Sequence, residues 1–169
     1  MKVLLVNGSP HKDKCTHTAL DIVAKELRDA GIETDEFWIG NKPIAGCIGC
    51  YQCGERGKCV FGGDKVEEFL GMAGDYDGYV FGAPVFFSGM AGSMKDFMDR
   101  VFFSNRGQVD FTLKPAAVVT SARRAGTTAT LEQLEKFLQY DQMFQVGSRY
   151  WNMVHGSSPD DVTRDEEGV

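Results

Sequence analysis

Strand-like and helix-like segments alternate along this chain, which predicts an α/β fold: a five-stranded parallel sheet between helical layers, a three-layer α/β/α arrangement. Three observations carry that expectation. Short continuous apolar runs match strands buried on both faces, apolar stripes at helical spacing lie between them, and no hairpin signal joins one strand to the next.

The first strand is KVLLV at 2–6. Residues 16–30 set Leu20, Val23 and Leu27 on one helical stripe that stops at Gly31. Residues 32–39 form the second strand, ending in Phe37, Trp38 and Ile39, and a cysteine-rich segment at 46–60 follows. Val66, Phe69 and Leu70 mark a helix within 64–73, and GYVFGA at 78–83 is the third strand, closed by Pro84. Met90, Met94, Phe97, Met98, Val101 and Phe102 form a wide helical stripe, best explained by core packing. PAAVVT at 115–120 is the fourth strand, Leu131, Leu134 and Leu138 mark another helix, and 143–146 reads as a short fifth strand. Ser158-Pro159-Asp160-Asp161 has the form of a capped helix start. With the last residue at Val169, that helix is expected to be cut short, or its face to be covered by a neighbouring chain. No repeat or linker divides the chain, so residues 1–169 are expected to form a single domain.

Hydrophobic residues make up 43% of the chain and charged residues 25%, as in ordinary globular domains. The net charge of −6 and the lack of any basic run argue against a nucleic-acid surface. Asn7-Gly8-Ser9-Pro10 cuts the first apolar run well short of a signal peptide, and Pro84 breaks the apolar stretch at 79–91. The expectation is a cytoplasmic protein without a membrane segment. Five thiols, an odd number, in a reducing compartment are poorly explained as structural disulfides.

In an open α/β sheet, ligands bind beyond the carboxyl ends of the strands. Three loops at that edge have unusual chemistry. NGSPHKDKCTHT at 7–18 follows strand one and runs into a helix, so its turn and hydroxyls can cradle a phosphate against free helix N–H groups. It lacks both the G-x-x-x-x-G-K-[ST] and the G-x-G-x-x-G patterns, which favours a mononucleotide phosphate over a triphosphate or dinucleotide. APVFFSG at 83–89 offers Val85, Phe86 and Phe87 to a planar apolar ligand, and SARRAGTT at 121–128 places two arginines at the same edge. A guanidinium there can stabilise negative charge on a reduced cofactor ring.

Together with the cysteine segment, these loops resemble the flavodoxin-like NAD(P)H-dependent FMN reductase superfamily, and within it the iron–sulfur flavoproteins. The resemblance runs from Lys2 to about His155. It implies the strand order 2-1-3-4-5 and FMN as cofactor. Ser9, His11, Thr16 and Thr18 would hold the phosphate. Pro84, Val85, Phe86, Phe87 and Ser88 would contact the isoalloxazine and ribityl chain. Ser121, Ala122, Arg123 and Arg124 would line the pyrimidine side of the ring. Two departures stand out: His11 occupies a position often held by arginine, and Arg123-Arg124 replaces a glycine-rich pattern. The resemblance also implies a homodimer or homotetramer with the flavin near a subunit interface. Tyr150, Trp151, Asn152 and His155 are candidates to reach such a site, although packing is the simpler role for each.

Cys47, Cys50, Cys53 and Cys59 give C-x2-C-x2-C-x5-C, with glycines between them that permit a tight fold. Three thiols at successive x2 spacing favour an iron–sulfur cluster, [4Fe–4S], over zinc, which more often uses separated C-x2-C pairs. Zinc and empty thiols remain open alternatives. Cys15 lies outside the set, in the phosphate loop.

The expected function is an FMN-dependent oxidoreductase of the iron–sulfur flavoprotein type. Electrons would come from NAD(P)H or a ferredoxin and pass to a small acceptor such as oxygen, peroxide or a quinone. No side chain stands out as an acid–base catalyst, so the chemistry falls to the flavin. The alternatives are a cluster-free NAD(P)H:FMN or quinone reductase and a non-enzymatic electron carrier or redox sensor.

Overall fold

The computed structural model describes all residues from Met1 to Val169. Four strands build the centre of the sheet: β1 (Lys2–Asn7), β2 (Glu33–Trp38), β3 (Gly78–Phe86) and β5 (Pro115–Ala122), all mutually parallel in the order β2-β1-β3-β5. The fifth position at the β5 edge is taken by β6 (Phe144–Gln145) and β7 (Met153–His155). Counting β6 and β7 as one position, the order is the expected 2-1-3-4-5.

Period-2 alternation sends Leu4 and Val6 of β1 to one face, Val3 and Leu5 to the other. The first face carries a 28-residue core built with α3 (Lys65–Ala73), α4 (Gly92–Ser104) and α5 (Thr127–Tyr140). The second carries nine buried residues contributed by the sheet, by α1 (Cys15–Asp29) and, through Val162, by α6 (Pro159–Val162). The apolar stripe from Met90 to Phe102 is core, as its spacing requires: Met94, Phe97, Met98 and Val101 are fully buried.

The structure departs from the sequence reading at three places. β3 runs past Pro84 to Phe86 and folds back on β4 (Gly89–Met90) as a two-residue hairpin. Phe87 and Ser88 form its turn at φ 49° and 61°, the left-handed pair of a type I′ turn without the Asn-Gly that normally announces one. The fifth strand is broken. β6 pairs with Pro115 and Ala116, β7 with Thr120 to Ala122, and the exposed residues 147–151 swing away between them. A short helix, α2 (Cys53–Arg56), lies inside the cysteine segment, and Gly57 ends it in the left-handed conformation. α6 begins at the expected cap, where Ser158 and Asp161 form a capping box, and is a single turn. No helix is long and apolar enough to cross a membrane.

Candidate functional site

Beyond the carboxyl ends of β1, β3 and β5, the loops after these strands enclose a cleft of about 270 Å³. From the first loop it receives Ser9, His11 and Thr16, from the second Pro84, Val85 and Phe86, from the third Ser121, Ala122 and Arg123. Four of the expected residues lie outside its lining. The Thr18 hydroxyl is turned back onto the Lys14 carbonyl at 3.3 Å. Phe87 and Ser88 sit on the exposed hairpin turn, and Arg124 is exposed beside Arg123. Lys14, Cys15, Gly156 and Ser157 complete the wall. The last two come from the β7–α6 connection, which packs against α1 and carried no sequence signal of its own.

The first loop is fixed by a residue the sequence reading passed over. Asn7, fully buried at the end of β1, donates from Nδ2 to the Lys12 carbonyl at 3.0 Å and to Glu36 Oε1 at 2.8 Å. Its Oδ1 accepts the Ser9 N–H at 3.0 Å. Glu36 in turn holds His17 Nδ1 at 2.7 Å. Trp38 Nε1 donates to the Ser9 carbonyl at 2.8 Å, and Ser9 Oγ accepts the His11 N–H at 3.1 Å. Gly8 must lack a side chain, because a Cβ there would stand 2.8 Å from the Gly82 carbonyl oxygen and 2.5 Å from Met94 Sδ.

Across the cleft, Thr16 Oγ1 and Ser121 Oγ lie 2.8 Å apart, both residues buried. Only one hydroxyl hydrogen is spent on that bond, so the pair keeps a donor free for an anion. Thr16 also stands in the first turn of α1, where backbone N–H groups lack partners and the helix dipole favours negative charge. The Cys15 thiol faces the Gly156 carbonyl at 3.6 Å, and burial pushes its pKa up. That environment suits an inert thiol.

Two larger cavities, about 510 and 610 Å³, flank the gap between β6 and β7. Tyr150, Trp151 and Asn152 line both, away from the cleft, with the Tyr150 and Trp151 rings 4.7 Å apart. The His155 N–H is held by Asp165 at 2.7 Å. These cavities are the space left by the broken fifth strand.

The cysteine segment builds a second site. Cys47, Cys50, Cys53 and Cys59 all border one small pocket, with Ile48, Val60, Phe61 and Phe103 as its apolar wall. All are free thiols, with Cys47 and Cys50 exposed and Cys53 buried. Arg100 Nε donates to Cys59 Sγ at 3.3 Å and Arg106 Nε to Cys53 Sγ at 3.4 Å. The pocket is about 20 Å³, and no three thiol, imidazole or carboxylate groups converge to metal-ligand distance. What fits a cluster is the donor set: four thiols on one apolar pocket, two of them bonded by cationic N–H groups.

Comparison with known proteins agrees with this layout. A family model described as NADPH-dependent FMN reductase matches residues 1–158. Over its full length the chain is 31% identical to an iron–sulfur flavoprotein of Methanocaldococcus jannaschii, of which it covers 90%. It is 27% identical to an iron–sulfur flavoprotein of Methanosarcina thermophila, over 87% of this chain and 78% of that one. An NAD(P)H:quinone oxidoreductase from Methanothermobacter marburgensis superposes with a TM-score of 0.70 at 18% identity, covering 99% of this chain and 90% of that one. At that identity the likeness is one of fold. The family match across the cleft-bearing strands, with a full-length relative that is an iron–sulfur flavoprotein, places the chain in the NADPH-dependent FMN reductase family.

Proposed function

We propose that this protein is an FMN-dependent oxidoreductase of the iron–sulfur flavoprotein type, taking electrons from NAD(P)H or a ferredoxin and delivering them to a small acceptor. The observation that carries the reading is the convergence of three buried hydroxyls, Ser9, Thr16 and Ser121, on one cleft whose rim is Pro84-Val85-Phe86. The hydroxyls and the α1 N-terminus hold a phosphate, Lys14 supplies positive charge that a lone helix end lacks, and His11 offers a ring nitrogen for hydrogen bonding. The half-exposed Phe86 and Val85 give an apolar wall for a flat ring, and the Arg123 guanidinium in the same lining would stabilise charge on a reduced ring bound there. FMN, when bound, supplies acceptance of two electrons as a hydride and their release one at a time. A [4Fe–4S] cluster held by Cys47, Cys50, Cys53 and Cys59 supplies single-electron transfer. The chain contributes binding, orientation and electrostatics.

The test is spectroscopic. Anaerobically purified protein, supplied with FMN, iron and sulfide, is expected to show flavin and cluster absorbance together and to oxidise NAD(P)H with quinone, oxygen or peroxide as acceptor. Protein that neither carries flavin nor takes up FMN would refute the reading.

One observation favours a second reading for the cysteines. Cys47 and Cys50 are exposed, and no three thiols converge in the free protein, as expected of a cluster-free NAD(P)H:FMN or quinone reductase. Iron and sulfide analysis separates the two, and steady-state turnover separates either from a carrier or sensor.

A further inference from the structure

Arg100, on α4, is 1% exposed. A guanidinium buried without partners is strongly disfavoured, so its partners reveal what holds it there. Nη1 donates to the Ala45 carbonyl at 3.4 Å and pairs with the Asp64 carboxylate at the start of α3. Nη2 donates to the Phe61 carbonyl, and Nε to Cys59 Sγ at 3.3 Å. Ala45 and Phe61 are the residues immediately before and after GCIGCYQCGERGKCV. One guanidinium therefore joins both ends of the cysteine loop and one of its sulfurs. Arg106, two residues past the end of α4, donates to Cys53 Sγ, with its guanidinium 4.8 Å from the Phe103 ring centroid.

We propose that Arg100 is a positioning residue for the four-thiol site: it closes the cysteine loop and, with Arg106, directs cationic N–H donors at two of the four sulfurs. This rests on the reading of the thiols as cluster ligands. A planar, permanently charged fork is the side chain that can bridge two carbonyls, a carboxylate and a sulfur at once, which an ammonium cannot. A purely structural tie between α4 and the loop would not require the Nε–sulfur bond. Nor would it explain the exposed Arg106 repeating that bond on Cys53. Hydrogen bonds to sulfur and nearby positive charge favour the more reduced state of an iron–sulfur centre, so both arginines would raise its potential.

The full-length chain carrying R100M, R100K or R106Q, compared with wild type, tests this in two measurements. In metal-free protein, the amides of Gly54 to Gly57, which bond back to Tyr51, Gln52 and Cys53, report on the loop. R100M is expected to raise their hydrogen exchange roughly tenfold while leaving β1 and β3 unchanged. R100K keeps the charge beside Asp64, so it retains the fold if R100M does not, and is expected to loosen the same amides to a smaller extent. After anaerobic reconstitution with iron and sulfide, R100M and R100K should lose iron relative to wild type. R106Q should keep its iron but show a lower midpoint potential. Loop exchange and iron content in R100K equal to wild type would overturn the role of Arg100, and an unchanged potential in R106Q would overturn that of Arg106. Wild type that binds no iron, with the loop still loosened by R100M, would defeat the cluster reading and leave the loop closure standing.

Discussion

Thr16 Oγ1 and Ser121 Oγ, 2.8 Å apart and both buried, join the first turn of α1 to the end of β5 across the cleft. Neither hydroxyl is needed to satisfy the backbone of its own element, so the bond serves the cleft. Thr16→Val removes one partner at nearly constant volume and leaves Ser121 short of a partner. A loss of about 1 to 2 kcal/mol in stability is expected, with FMN affinity about tenfold weaker. Chemical denaturation and fluorescence titration with FMN measure the two effects. Unaltered FMN affinity would remove the pair from the phosphate site.

Asn7 and Thr18 make a contrasting pair. Asn7 satisfies the Ser9 N–H and the Lys12 carbonyl from a fully buried position, so Asn7→Ala leaves both short of a partner. It is expected to cost about 2 to 4 kcal/mol and to abolish measurable FMN binding below unfolding conditions. Thr18 spends its hydroxyl on the Lys14 carbonyl, and Thr18→Val should leave FMN affinity within a factor of about two. Equal loss in the two variants would show that the first loop binds differently from the arrangement argued above.

The contrast also shows what the sequence could disclose. KVLLV, GYVFGA and PAAVVT are apolar runs whose burial on both faces fixes them as central strands, and the Ser158–Asp161 cap announces α6 at its true start. The gathering of Ser9, Thr16 and Ser121 at one edge was legible from two sources: the loop after β1 runs hydroxyls into a helix start, and the family resemblance pointed to Ser121. Asn7 was not: its role lies in bonds to Lys12 and to Glu36, 29 residues away, and an Asn after a strand reads as a turn. Arg100 was hidden likewise, as one of four charged residues on α4, whose partners lie 36 to 55 residues earlier. The Phe87-Ser88 turn escaped because it uses left-handed conformations at residues that rarely adopt them. The fifth strand was found only in part, since two short pairings separated by an exposed loop leave no continuous pattern.

Exposure predicts an order of thiol modification in the metal-free protein. Cys47 and Cys50 are exposed, Cys59 is partly covered and bonded by Arg100, and Cys53 is buried. Cys15 is partly buried, and its pKa is raised by that burial, which lowers its thiolate fraction at pH 8. Brief treatment with iodoacetamide, read by peptide mass spectrometry, should label Cys47 and Cys50 first and leave Cys15 and Cys53 last. Early labelling of Cys15 would contradict the inert environment described for it. Iron and sulfide bound beforehand should protect all four loop thiols while changing Cys15 little.

Asp141 closes α5, where a negative charge opposes the helix dipole, and burial pushes its pKa up to about 6. The folded chain therefore holds this proton more tightly than the unfolded chain, whose carboxyl titrates near 3.9. Between those two values the folded state binds more protons, so its stability falls as pH rises, and above about 6 the whole penalty is in force. Asp141→Asn removes the ionisation. After allowance for solvent screening of a half-buried group, the variant should gain about 1 kcal/mol at pH 7.5. At pH 3.5 the wild-type carboxyl is neutral in the folded state and mostly neutral in the unfolded state, so the gain should all but vanish. Thermal unfolding of the two proteins at both pH values decides the matter. A gain of equal size at pH 3.5 would assign the effect to the exchange of side chains rather than to the charge.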